Sequence, residues 1–236
     1  MIFSKVHTKL KLSAIFALLF LITSCNKQST QKTGLSESVL FTSEISEDAT
    51  PAVVSRILSA GEKAISEIKF EKGTYHFYPD QGKESFEYIS NPCDLMVSTP
   101  FPIEHFKNLT IDGQGSTFIF HGVMIPFLIE NSENIEVKNV TIDWHEPFHS
   151  EGLIVANNNK NKTFDMTISE VFPYEIRNGQ IHFIKEYYEH SVGQTILYDP
   201  ERSAIAFNTE AYTSISTRTK ASVRNGIENI EYNYIN

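Results

Sequence analysis

The sequence predicts an all-β fold that begins as a right-handed parallel β-helix and continues as an antiparallel β module. Three observations lead to this prediction. Residues 108–112 (Asn-Leu-Thr-Ile-Asp) return as residues 139–143 (Asn-Val-Thr-Ile-Asp), 31 positions later, and both copies alternate apolar and polar side chains. A helical stretch followed by a strand–Gly–strand phrase precedes the repeat, and a strong hairpin signal follows it.

The repeat is typical of a parallel β-solenoid, in which short strands bounded by Gly, Asn or Asp recur once per coil. Further short apolar runs lie at residues 117–120, 126–129 and 134–137. We expect the equivalent Asn108 and Asn139 to stack as a ladder at the same turn of neighbouring coils. A β-sandwich with two similar strands is the alternative that the repeat leaves open.

The first folded element is expected to be a helix with Thr50 as its N-cap and Pro51 in its first position. Residues 52–60 then carry apolar side chains at helical spacing. Residues 68–79 alternate apolar and polar side chains on both sides of Gly73. Many right-handed parallel β-helices begin with such a helix, because it covers the open end of the core.

From residue 151 the pattern changes to short strands joined by tight turns. Strands are predicted at residues 152–155 and 163–168, around the Asn-rich turn at 157–162. The Asn-Gly pair at residues 178–179 precedes the apolar run at 181–184, which is a strong β-hairpin signal. This part therefore reads as an antiparallel barrel-like or sandwich-like module.

The amino terminus has the organisation of a bacterial lipoprotein signal. Lys5, Lys9 and Lys11 form a basic segment, and residues 12–23 form an apolar segment that is too short to span a bilayer comfortably. The segment leads into a lipobox-like sequence that ends at Cys25. We expect Cys25 to be lipidated, so that the protein is exported and anchored in the outer membrane, facing the periplasm or the cell surface. An ordinary secretory signal or a start-transfer anchor is the alternative.

These boundaries divide the chain into four parts. They are a lipoprotein signal peptide (1–24), a polar tether (25–49), the cap and first coils of a parallel β-helix (50–150), and an incomplete antiparallel β module (151–236).

The composition suits a folded domain and argues against nucleic acid as a partner. Aromatic residues make up 12% and apolar residues 41% of the chain. The formal net charge of −9 becomes −12 without residues 1–24, which hold three lysines and no acidic residue. Such a surface repels nucleic acid. Cys93 is the only other cysteine and no Cys/His cluster has zinc spacing, so we expect no intramolecular disulfide, no metal and no cofactor.

Several of these motifs together resemble one known family. The opening helix, residues 73–79, residues 110–116 and residues 139–144 resemble the N-terminal part of the bacterial α-1,3-galactosidases, glycoside hydrolase family 110. The resemblance implies an exo-acting enzyme that removes terminal α-1,3-linked galactose from glycans, with inversion and without a metal. It also implies a longer chain whose catalytic aspartates lie beyond Asn236. The 236 residues are then a fragment that is inactive alone.

The residues most like a sugar site are Asp143, Trp144, His145 and Glu146, with His149 close behind. Trp144 is the only tryptophan, and its ring is suited to stack on galactose between carboxylate and imidazole groups. The alternative is that Asp143 caps the turn after its strand and Trp144 packs at the junction with the following module.

Two other functions remain open from the sequence. One is a non-catalytic carbohydrate-binding or adhesive β-helix lipoprotein. The other is a pectate-lyase-like polysaccharide lyase, which would use clustered Lys and Arg and calcium-binding carboxylates that the sequence does not display.

Overall fold

The computed structural model describes residues 37–60, 65–88, 95–207, 213–214, 220–224 and 227–231. The predicted signal peptide, Cys25, Cys93 and residues 26–36 of the predicted tether lie outside the described residues. Within these ranges, no helix combines the length and the apolar character needed to cross a membrane.

Strands dominate the described residues, which confirms the all-β prediction. The first part of the chain contains β1 (Glu37–Phe41), α1 (Thr50–Ser59), β2 (Ile65–Phe70), β3 (Thr74–Phe77), β4 (Lys83–Glu87), β5 (Leu95–Thr99), β6 (Phe101–Glu104), β7 (Lys107–Phe120), β8 (Phe127–Glu130) and β9 (Glu133–Trp144). Short 3-10 helices lie at Ser43–Ile45 and Pro79–Gln81. The second part contains β10 (Leu153–Asn158), β11 (Thr163–Thr167), β12 (Tyr174–Arg177), β13 (Gln180–Lys185), β14 (Tyr188–Ser191), β15 (Gln194–Thr195), β16 (Tyr198–Asp199), β17 (Ala204–Ile205), β18 (Thr213–Ser214), β19 (Lys220–Arg224) and β20 (Ile227–Glu231).

The predicted helix is present as α1, but its N-cap is different from the predicted one. Ala49 is the N-cap, and the carboxylate of Asp48 accepts a hydrogen bond from Thr50 N at 3.0 Å. Thr50 lies inside the helix, where its Oγ1 accepts from Tyr78 N at 2.7 Å. Thr50 as N-cap was therefore wrong, because an aspartate two residues earlier meets the free backbone amide.

Parallel pairing joins most strands of the first part. β2 pairs with β1 and β7, and β7 also pairs with β3 and β9. β6 and β8 form a second parallel ladder, whereas β4 and β5 form an antiparallel pair. The β7–β9 ladder runs from Lys107 opposite Glu133 to Phe120 opposite Trp144. Parallel strands place equivalent ends at the same level, and this positions the site described below.

The register between β7 and β9 differs from the predicted repeat. Residues 109–112 lie opposite residues 135–138, so the two Asn-x-Thr-Ile-Asp phrases are not at the same turn. The expected ladder of Asn108 on Asn139 is therefore wrong. Lys107 opposite Glu133 and Leu109 opposite Ile135 bring Asn134, and not Asn139, to the level of Asn108. A bulge follows, in which β7 uses three residues, 113–115, where β9 uses Asn139 alone, so the offset falls further below the 31-residue period of the phrase.

Side-chain amides do connect the two strands, with other partners. Asn134 Nδ2 donates to Asn108 Oδ1 at 2.8 Å, and Asn139 Nδ2 donates to Asp112 Oδ1 at 2.9 Å. Asn108, Asn134 and Asn139 have φ values of 56°, 61° and 53°. Asparagine tolerates this left-handed conformation better than most residues, so these positions bend the strands.

An aromatic core fills the first part of the chain. Phe118 is fully buried, and its ring centroid lies 4.7 Å from Phe70, 5.2 Å from Phe77 and 5.7 Å from Phe101. The buried Tyr75 places its hydroxyl 2.6 Å from a backbone carbonyl, to which it donates. Buried residues of α1 belong to the same core, and α1 packs on β6.

After residue 150 all pairing between the described strands is antiparallel, as predicted. β10, β11, β20 and β19 form one sheet, and β12, β13 and β14 form another. The predicted Asn-Gly hairpin connects β12 to β13, with φ values of 54° at Asn178 and 76° at Gly179. A second core is centred on Met166, Phe183 and Ile230. Among the described strands, none of these sheets closes into a barrel.

Candidate functional site

Three adjacent parallel strands end at one level, and each is followed by a ring side chain. Tyr78 follows β3, His121 follows β7 and His145 follows β9. His121 N donates to Phe77 O and His145 N donates to Phe120 O, both at 2.9 Å. The ring centroids of Tyr78 and His121 are 4.0 Å apart, and those of His121 and His145 are 4.7 Å apart. These three residues are called the ring stack below.

His121 is the centre of the ring stack and is hydrogen-bonded through both ring nitrogens. Its side chain is buried; Nδ1 lies 2.7 Å from Glu186 Oε2, and Nε2 lies 2.9 Å from His76 Nδ1. A carboxylate oxygen accepts, so His121 Nδ1–H donates to Glu186; in the neutral ring, Nε2 then accepts from His76 Nδ1–H. This chain of bonds links β3 to the turn between β13 and β14.

The surroundings favour the neutral forms of two members of this cluster. Burial lowers the pKa of His76, and the neighbouring His121 and His145 lower that pKa further. Burial also raises the pKa of Tyr78, and nearby carboxylates, Glu186 first among them, raise it further. His76 therefore acts here as a neutral imidazole at physiological pH.

The turn between β13 and β14 is fixed against the strand ends. Glu146 Oε2 accepts a hydrogen bond from Glu186 N at 3.0 Å. Tyr187 has φ 67° and packs on Gly122, where an added Cβ would lie 2.9 Å from Tyr187 Cδ2. Gly122 itself has φ 58°, so glycine is favoured there by both conformation and space. These contacts hold Glu186 next to His121.

A groove opens beside this turn. It is lined by Asp80, Glu84, Met96, Tyr187 and Tyr188, among others, and Tyr187 is 54% exposed. A tyrosine ring next to carboxylate oxygens can bind a sugar, because the ring packs on the apolar face and the oxygens accept from hydroxyls.

Asp143 and Trp144, two of the five predicted sugar-site residues, make contacts within their own strand end and the first core. Asp143 is exposed, and its Oδ1 accepts from Trp144 N at 2.8 Å. Trp144 is partly buried against the first core, with ring centroids 5.7 Å from Phe120 and 5.4 Å from Phe148. Its buried Nε1 has no hydrogen-bond partner among the described residues. Trp144 thus has the environment of a packing residue.

The other three predicted residues, His145, Glu146 and His149, lie at or near the β13–β14 turn. His145 belongs to the ring stack, and Glu146 holds the turn through the amide of Glu186. His149 is exposed, with Nε2 3.0 Å from Glu151 Oε1, and its carbonyl accepts from Lys185 Nζ at 2.9 Å. The role of all five residues in binding a sugar stays a prediction.

The sequence analysis missed three residues of this cluster: His76, His121 and Glu186. They are far apart in the chain, so no local motif contains them. One signal was available, because residues 77–78, 120–121 and 144–145 each pair a core aromatic with a second ring at a strand end. Only a correct register would have shown that these pairs are neighbours.

Comparison with known proteins first gives the class of domain. Residues 150–234 match the family model of GLAA-B β-barrel domain I. This range covers the antiparallel strands from β10 to β20.

Individual proteins with similar sequences then show which enzymes the chain is related to. Alpha-1,3-galactosidase A of Shewanella woodyi is 37% identical over 162 residues, which are 68% of this chain and 27% of that protein. An alpha-1,3-galactosidase B of Phocaeicola vulgatus is 30% identical over 213 residues, which are 85% of this chain and 34% of that protein. Alpha-1,3-galactosidase B of Bacteroides fragilis is 40% identical over 107 residues, 44% of this chain and 18% of that protein.

The resemblance to the bacterial α-1,3-galactosidases is therefore confirmed. The chain is related in sequence to a part of these proteins, and it spans about a third of their length or less.

Proposed function

We propose that this chain is the front portion of an exported exo-glycosidase that hydrolyses terminal α-1,3-linked galactose from glycans with inversion. The observation that carries the proposal is the sequence relationship to alpha-1,3-galactosidases A and B, over 68% and 85% of the chain. The match to a domain of the GLAA-B type supports it. The partner is accordingly a glycan that ends in α-galactose.

We propose that the parallel ladders are the first coils of a right-handed parallel β-helix, with α1 as its cap. The side-by-side parallel pairing of β1, β2, β7 and β9 supports this arrangement. Within the described residues, β9 pairs only with β7, and Ile142 on β9 is 42% exposed. In the proposed full-length enzyme, further coils continue from this edge.

The catalytic carboxylates are proposed to lie on those further coils. Inversion needs an acid and a base carboxylate about 6.5–9.5 Å apart, with room for a water molecule between them. Two carboxylates next to the ring stack are already engaged, since Glu186 accepts from His121 and Glu146 accepts from Glu186 N. Asp143, His145 and His149 remain the proposed sugar contacts, because their side chains are exposed.

Galactose release tests the proposal. The 236-residue chain and the product of the complete native reading frame are each incubated with a terminal α-1,3-galactoside, with the Shewanella woodyi relative as positive control. We expect release by the complete product and none by the 236-residue chain. Release by the 236-residue chain would show that the catalytic carboxylates lie within it. No release by the complete product would refute the galactosidase proposal.

Export and anchoring are proposed from the amino-terminal pattern alone. The basic segment, the apolar segment and Cys25 predict a bacterial lipoprotein. Metabolic labelling with a fatty acid should mark the wild-type protein and leave Cys25→Ala unlabelled. Equal labelling of both proteins would contradict the proposed site.

A carbohydrate-binding function is the second candidate, and the groove at Tyr187 favours it. The exposed Tyr187 ring lies beside Asp80 and Glu84. If the groove binds sugar, Tyr187→Ala should weaken binding of an α-galactosyl glycan to the 236-residue chain at least tenfold. Tyr198→Ala is the control, because Tyr198 is 55% exposed and does not line the groove. Equal binding by both variants would exclude this site.

A further inference from the structure

We propose that His121, His145 and Glu186 form a binding site for a divalent transition-metal ion of the zinc class. One ligand atom from each residue lies within 4.8 Å of the others. The three residues come from the ends of β7 and β9 and from the β13–β14 turn, so the site forms only when these segments meet. The inference does not require the galactosidase function, and it assigns His145, named above as a proposed sugar contact, to the ion instead.

The donor set has the chemistry of a transition-metal site. Two imidazole nitrogens and one carboxylate oxygen suit Zn²⁺ and its neighbours, whereas Ca²⁺ and Mg²⁺ prefer oxygen ligands alone. Three protein ligands leave one position of a tetrahedral ion for water. The sequence expectation of no metal rested on local spacing, and these ligands are 24 and 41 positions apart.

His76 supports His121 in the way that metal-binding histidines require. With an ion on His121 Nδ1, the proton of that ring moves to Nε2 and the proton of His76 moves from its Nδ1 to its Nε2. His121 Nε2–H then donates to His76 Nδ1 at the observed 2.9 Å. This bond fixes both the tautomer and the orientation of the ring. The ring of Tyr78 also stacks on the ring of His121, so the buried imidazole has little freedom to rotate away from the proposed ion.

The observed distances define the movement that binding needs. Donor atoms around a tetrahedral zinc ion are about 3.3 Å apart for bonds of about 2.0 Å. His121 Nδ1 and Glu186 Oε2 are 2.7 Å apart and must separate by about 0.6 Å when the ion replaces the proton between them. His145 must tilt out of its stacked position to direct a nitrogen at the ion. It is free to do so because its side chain is exposed.

Zinc binding by the full 236-residue chain tests the site. The protein is stripped with a chelator, and binding of ZnCl₂ is measured by competition with a chromogenic chelator. We expect one zinc ion per chain, and at least about tenfold weaker binding by His145→Ala. Because His145 is exposed, this variant should keep the wild-type circular dichroism. His149→Ala is the matched control, since His149 and Glu151 form an exposed His–Glu pair that no third metal-ligating side chain joins within the described part of the chain.

Two further measurements separate a metal site from a purely hydrogen-bonded cluster. Glu186→Gln keeps an oxygen that accepts from His121 but removes the charge, so it should bind zinc more weakly while folding normally. CoCl₂ should give the visible absorption of a tetrahedral site in the wild type and lose it in His145→Ala. Absence of bound zinc, or equal affinity in the wild type, His145→Ala and His149→Ala, would overturn the proposal.

Discussion

The close packing of Gly113 on β9 yields the sharpest test of the fold. Gly113 lies in the bulge of β7, and a Cβ built on it would be 2.7 Å from Asn139 O and 2.9 Å from Val140 Cβ. Both atoms are on the neighbouring strand, and neither is the end of a flexible side chain. Gly113→Ala should therefore push the two strands apart.

The distances set the size of the effect. Non-bonded carbon atoms prefer separations of about 3.5–4.0 Å, so the added methyl group needs at least about 0.6 Å of movement. Overpacking of a well-packed site costs about 1–3 kcal/mol. Because the displaced atoms are backbone and Cβ, we expect a loss of about 2 kcal/mol in the free energy of unfolding.

Urea unfolding followed by tryptophan fluorescence is the assay. Trp144, the only tryptophan, is the last residue of β9 and reports directly on this ladder. Gly73→Ala is the control, because it adds the same methyl group at a position where the nearest atom is 3.6 Å away. We expect this variant to unfold within about 0.5 kcal/mol of the wild type, or to be slightly stabilised.

Equal stability of Gly113→Ala and Gly73→Ala would contradict the prediction. If Gly113→Ala and Gly73→Ala unfold at the same urea concentration with unchanged slopes, Gly113 does not face β9. The register of the parallel ladder would then be wrong. A changed slope in Gly113→Ala alone would instead show that the substitution alters the surface exposed on unfolding.

Three more predictions test other parts of the fold. Phe118→Ala should lower the free energy of unfolding by about 3–5 kcal/mol, whereas Phe86→Ala, at a ring 53% exposed, should cost under about 1 kcal/mol; similar costs would contradict the proposed core. Asn134→Ala should cost about 1 kcal/mol and Asn134→Gly less, because the position has φ 61°; the reverse order would exclude the left-handed bend. Burial, with the hydrogen bond to Glu228, raises the pKa of Tyr174 to about 12. The protonated phenol is thus favoured by folding, and its contribution is complete below about pH 10 and lost as the pH rises to about 12. Melting temperatures across this range should fall less steeply in Tyr174→Phe, and an identical pH dependence would rule out the pair.

Local patterns were sufficient to predict most strands. Alternating side chains predicted β2 and β3 around Gly73, and the Asn-Gly pair at 178–179 predicted the β12–β13 hairpin. Each of these signals depends on residues within one strand or one turn. Such signals hold because side-chain alternation and left-handed turn positions are dictated by the backbone itself.

Register could not be predicted from the same patterns. The repeated phrase has a period of 31, but the pairing offset between β7 and β9 is 26 before the bulge and 24 after it. The bulge at residues 113–115 accounts for the change in pairing offset from 26 to 24. The repeated phrase therefore identified two strands of one sheet correctly but predicted the wrong register between them. Strand pairing depends on which side chains are buried, and not on which residue types recur in the sequence.

The same register explains why only some residues of the cluster around His121 could be predicted from the sequence. His145 and Glu146 were singled out because they follow the second repeat, yet their partners are His121 and Glu186. Phe120 lies opposite Trp144, so the next residues, His121 and His145, must be neighbours. Parallel pairing thus converts two residues 24 positions apart into a stacked pair, and the β13–β14 turn adds the carboxylate. Whatever this cluster binds, its geometry is set by the ends of the parallel strands.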